Sequence, residues 1–188
     1  MIVMNPHQRE QLRRQYLPQR VRVLFIGESP PASGRFFYRR DSGLYRAMRE
    51  AFQAVDASIS DEVFLEMFRD SGCYFVDLCS EPVDRLDARS RRDACVAAEV
   101  RLMKSIARLH PVVIATVVRS IEGNVIRAAA QANWNGVMIQ LPYPGRWSRL
   151  RRAFVEALEP IVVRCFHCCS TSRRGDNPQE PILAVATS

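Results

Sequence analysis

The sequence predicts an α/β domain: a three-layer sandwich in which a four-stranded parallel sheet lies between helices. Short, wholly apolar runs alternate along the chain with longer segments whose apolar residues recur at helical spacing. The runs are also uniformly apolar, the pattern of strands covered on both faces.

Val23 to Ile26 is the first strand, stopped by Gly27 and followed by Glu28-Ser29-Pro30-Pro31. The two prolines fix the backbone and remove two amide donors, so this loop is stiff and exposed. Leu44, Met48, Phe52 and Val55 predict a helix over about 43–55. Ser60, followed by Asp61 and Glu62, caps a second helix with Phe64, Met67 and Phe68 inside and Gly72 at its close. Cys73 to Cys79 is a strand interrupted by Asp77, a carboxylate that is costly in a buried strand unless it is paired or serves a site. Arg85 to Arg92 reads as a solvated connector. Ser90 and Asp93 open a long helix whose inner face runs from Cys95 to Leu109. Val112 to Val118 is a central strand, Ser120 caps the next helix, and 136–141 is the fourth strand. Pro142-Tyr143-Pro144-Gly145-Arg146-Trp147 follows, and Ser148 caps a last helix. Leu150, Phe154 and Leu158 face inward on it, with Arg149, Arg151 and Arg152 outward.

Residues 1–20 form a basic arm with a short amphipathic helix opened by Pro6, its arginines on a solvated face. Residues 21–164 make the α/β domain, and 165–188, rich in Ser, Thr, Arg, Asp and Asn, read as a disordered tail. At 188 residues and 47% hydrophobic composition, one domain with a full core is expected. No apolar run is long enough to span a bilayer, and the N-terminus lacks a signal pattern, so a cytoplasmic monomer is expected. The 27 basic and 20 acidic residues give a net charge of +7, with Lys104 the only lysine. Arginine matches phosphate oxygens, which favours DNA as a partner, although a GC-rich coding genome also produces this bias. Cys165, His167, Cys168 and Cys169 lack a second ligand pair at zinc spacing, so no metal is expected.

The order of these motifs resembles the uracil-DNA glycosylase superfamily. The residues that carry the resemblance are Gly27-Glu28-Ser29-Pro30 with Phe36 or Phe37, then Asp77, then Pro142-Tyr143-Pro144. The likeness spans about residues 21–160. It implies the family's fold and a cofactor-free hydrolase that removes a damaged or deaminated base from DNA. Glu28 and Ser29 are the implied catalytic residues; Gly27, Phe36, Phe37 and Asp77 would bind the base. Pro30, Arg35, Pro142, Tyr143, Pro144, Gly145, Arg146 and Arg149 would contact DNA, with Arg146 or Tyr143 filling the space of the extruded base. Phe36 or Tyr38 competes with Phe37 as the stacking ring. The chain departs from the pattern at three positions, one of them Pro31, where many members have Gly or Tyr. Leu141 stands where the family has His, and Asp77 where it has Asn. An ionised Asp only accepts hydrogen bonds, so altered base specificity is expected. The alternatives are a catalytically impaired nucleic-acid-binding relative and an unrelated small-molecule hydrolase. The sequence lacks a Gly-rich phosphate loop, which argues against nucleotide binding.

Overall fold

The computed structural model describes residues 4–145 and 147–171. Four strands, β1 (Val23–Gly27), β2 (Cys73–Asp77), β3 (Val113–Thr116) and β4 (Val137–Gln140), form one parallel sheet in the order β2-β1-β3-β4. Six α-helices are present among the described residues: α1 (Pro6–Arg14), α2 (Gly43–Val55), α3 (Phe64–Asp70), α4 (Ala88–Leu109), α5 (Glu122–Gln131) and α6 (Ser148–Thr171). Helix α2 packs against α6 and α4 against α5, so two helix pairs flank the sheet, in keeping with a three-layer sandwich. No helix among the described residues is long and apolar enough to cross a membrane.

Strands β1 and β3 are buried because, Thr116 apart, they carry only apolar side chains and Gly27. Leu24, Phe25 and Ile26 of β1 and Ile114 and Ala115 of β3 are wholly enclosed. Strand β4 is only half-buried, as an edge strand can be. The other edge strand, β2, is closed by a side chain: the Tyr38 hydroxyl accepts from Phe75 N at 2.9 Å and donates to Phe75 O at 3.1 Å. Tyr38 in turn stacks on Tyr16, which follows α1, at 5.4 Å between centroids. The N-terminal arm is therefore docked on the domain, and it is the arginines that are buried. Arg9 and Arg13 are enclosed, whereas a solvated arginine face was expected, because their heads find partners above β2.

Several boundaries differ from the sequence reading: β2 ends at Asp77 and not Cys79, Ser120 lies in a 3-10 turn before α5 and does not cap it, and Ser148 is the first residue of α6 and not its cap. Helix α3 begins at Phe64, since Ser60 bonds Glu62 through its hydroxyl and leaves 61–63 as a turn. Helix α4 begins at Ala88, because Asp87 accepts from Arg89 N and Ser90 N and so serves as the cap. The connector expected over 85–92 is thus partly helix. Helix α6 does not stop at residue 164: Phe154, Leu158, Val162 and Cys165 continue one buried face. The Cys165 and Cys73 sulfurs lie 4.0 Å apart in the core, so 165–171 belong to the helix. The rest of the expected tail, 172–188, lies outside the described residues.

Candidate functional site

The connection from β1 leads to β2 on one side, and that from β3 leads to β4 on the other. The strand order therefore reverses between β1 and β3, and ligands of open α/β sheets bind outside the strand carboxyl ends at such a point. A crevice of about 580 Å³ lies there. That is ample for a nucleobase, and within the usual range of ligand pockets. Gly27, Glu28, Ser29 and Pro30 enter it from the loop after β1, Asp77 from the end of β2, and Tyr143 from the loop after β4. Three segments distant in sequence thus meet at one edge.

The loop after β1 is fixed at several points. Gly27 O accepts from Leu78 N and Glu28 O from Cys79 N, both at 2.8 Å, so the β1–β2 ladder runs on past the strands. Ser29 Oγ accepts from Val83 N at 3.2 Å, and the Asp84 carboxylate accepts from Ala32 N at 3.1 Å. The role of Ser29 seen here is to hold the loop. Gly27 must lack a side chain, because a Cβ there would lie 2.8 Å from the Phe75 ring and 3.0 Å from Asp77 Oδ1.

Glu28 faces the first turns of α4. Arg91 grips its carboxylate with two donors, Nε to Oε1 at 2.8 Å and Nη2 to Oε2. The Glu28 side chain is 10% exposed and that of Arg91 40%. This hydrogen bond raises the Arg91 pKa further above its usual value. The sequence reading missed Arg91 because it lay in a stretch read as solvated. The available signal was Asp87 three residues before Ser90, which moves the helix start back and turns Arg91 toward the sheet.

Asp77 is 4% exposed and opposite Gly27 in the sheet. Its Oδ2 has no hydrogen-bond partner, and the nearest cation, Arg13 Nη2, is 3.8 Å away, beyond hydrogen-bond reach. Burial raises its carboxyl from 3.8 to about 6, an effect partly offset by Arg13, Arg101 and Arg9. Asp77 therefore changes protonation state closer to neutral pH than an ordinary carboxylate does.

The floor of the crevice is apolar. Phe36 and Phe37 both line it, and each is 2% exposed. Phe37 packs between Phe75 and Tyr38, each at 5.0 Å. Both rings are core residues that show the crevice one surface, while Tyr38 is committed to the β2 edge. Tyr143, 58% exposed, stands at the rim. Beyond it a second cleft of about 520 Å³ is lined by Arg35, Arg46 and Arg151 together with Pro144 and Gly145. No acidic side chain lines this ledge, although Arg151 also pairs with Glu50 of α2. Gly145 takes φ +47°, and a Cβ there would meet Leu150 at 2.8 Å.

Pro142 and Arg149 line neither cleft, and Arg146 lies outside the described residues. Leu141 is 2% exposed, with its N–H bonded to Thr116 O at 2.8 Å. It is a core residue and offers the crevice no polar group. Arg119 and Ser120, from the loop after β3, also line the crevice and escaped the sequence reading. No protein-family model matches the chain, and no curated protein matches it significantly.

Proposed function

We propose that the protein is a DNA glycosylase-like hydrolase of the uracil-DNA glycosylase kind, which holds an extruded base in the crevice and hydrolyses its bond to deoxyribose. The observation that carries this reading is the position of Glu28, a carboxylate fixed by Arg91 at the rim of an aromatic-floored cleft that opens onto an arginine-lined ledge. A flipped base needs an apolar slot with a few polar groups to read its edge. The flanking phosphates need cations, and Arg35 and Arg46 stand at the ledge.

As the N-glycosidic bond breaks, the base leaves with the bonding electrons and the sugar becomes cationic. A carboxylate beside that sugar stabilises the charge and orients the water that attacks C1′; the water's proton then leaves to solvent or to the departed base. Arg91 fixes Glu28 in one orientation, so little reorganisation is needed. Leu141 offers no help to the leaving base. Arg119 and Asp77 are among the polar groups at the crevice that could take that task.

Asp77 sharpens the specificity. Below about 6 its protonated carboxyl both donates and accepts, as Asn does; above, it only accepts. Uracil presents carbonyl oxygens and a ring N–H, so its excision should rise as pH falls through about 6. Asp77→Asn should excise uracil with no such dependence. The test is abasic-site formation in oligonucleotides carrying uracil, hypoxanthine, xanthine or oxidised bases, measured from pH 5 to 8. No abasic sites with any of these bases would contradict the reading.

The Glu28–Arg91 ion pair and the buried Leu141 favour a second reading, a nucleic-acid-binding relative without the chemistry. It predicts salt-sensitive DNA binding with no base released.

A further inference from the structure

We infer that the groove between α1 and α4 is a binding site for a phosphate-bearing ligand, separate from the crevice. The groove holds about 500 Å³ and is lined on one side by Tyr74, Val76 and Asp77 of β2. Its two walls carry the same sign of charge. Arg9, Arg13 and Arg14 come from α1, and Arg101, Lys104 and Arg108 from one face of α4. Only two carboxylates, Glu10 and Asp77, line the space against these six cations.

The hydrogen bonding holds this charge in place, and the carboxylates present neutralise it only in part. Arg9 donates to the carbonyls of Met4 and Ser80, and Glu81 is 3.4 Å away and 63% exposed. Arg101 donates to the carbonyls of Asp77 and Leu78. Carbonyl partners satisfy the N–H groups but leave the positive charges uncancelled. Glu10 is divided between Arg13 at 2.6 Å and Arg14 at 2.8 Å. Arg13 is the most enclosed of them, its side chain 9% exposed: it pairs with Glu10 and lies 3.8 Å from Asp77, and its Nε has no hydrogen-bond partner. Burial, and next the facing Arg13 guanidinium, push the Arg101 pKa down, as expected for like charges brought together.

Six cations against two carboxylates leave the groove with an excess of positive charge that a bound anion would offset. Guanidinium forks match phosphate oxygens in pairs. The chemistry is therefore that of a phosphate ester or diester, from a free nucleotide-like molecule or from a polynucleotide strand.

Lys104 and Arg108 are exposed on α4 and belong to no part of the crevice, so their replacement tests the groove without touching the proposed chemistry. Binding of inorganic pyrophosphate and of a short single-stranded oligonucleotide is measured by calorimetry at low salt on the full chain. The parent is compared with Lys104→Glu/Arg108→Glu, with the milder Lys104→Gln/Arg108→Gln, and with a charge-matched control, Arg20→Glu/Arg85→Glu. The groove pair of glutamates should weaken binding at least about tenfold, the glutamines less, and the control only slightly. Loss of pyrophosphate binding identifies a free phosphate ester as sufficient. Loss confined to the oligonucleotide identifies a polynucleotide. No binding by the parent, or equal weakening by the control, overturns the proposal. Arg35→Glu/Arg46→Glu reports separately on the ledge beside the crevice, so failure of the groove and failure of the glycosylase reading are distinguishable.

Discussion

Asp77 bears the largest electrostatic cost at the site. Its carboxyl rises from 3.8 to about 6 in the native state, which costs the ionised form about 3 kcal/mol. Between pH 4 and 6 the native protein then binds more protons than the unfolded chain, so stability falls as pH rises through that window and levels off above it. Asp77→Asn should remove this loss, raising the melting temperature at pH 7.5 and giving no advantage at pH 4. Equal melting of parent and variant at both pH values would refute this account of Asp77. The sequence marked Asp77 as an acid in a buried strand, and that much was legible from its apolar neighbours. The arginines that surround it were not, since Arg9 and Arg13 are polar positions on a surface helix and nothing in their spacing shows that they point inward.

Individual elements are tied to the site by single contacts. Tyr38 closes the β2 edge with one hydroxyl, and Tyr38→Phe keeps the ring packing while leaving Phe75 N–H and C=O unpaired. It should cost about 1–3 kcal/mol in denaturant unfolding. Loss of less than about 0.5 kcal/mol would mean that the edge is satisfied in another way. Arg91 joins α4 to the loop after β1. Arg91→Ala should leave the fold intact by circular dichroism yet lower base excision ~100-fold, since a small displacement of a reacting group is that expensive. Strands β1 and β3 and helix α2 were legible because their patterns are unmixed. Helix α4 was misplaced by three residues at its start because Asp87 and Ser90 are both good caps, and the pairing of Arg91 with Glu28 fits the earlier one.

At the level of the fold, the strand order explains why one crevice gathers residues 27–31, 77 and 143. Alternation of strands and helices in the sequence implied that the strand ends share an edge, but not which strands are neighbours. The order β2-β1-β3-β4 supplies that and puts the loop after β1 at the point of reversal. Leu141 is buried and lines neither cleft, so on the proposed reading Glu28 is the residue whose replacement tests the chemistry most directly. The most direct measurement is single-turnover release of free base, followed by mass spectrometry, from the best substrate among the modified oligonucleotides. Release by the parent and at least a ~100-fold loss in Glu28→Gln, with DNA binding retained, is the predicted result. Equal release by parent and Glu28→Gln, or none by the parent, would contradict the assignment of this crevice as a base-excising site.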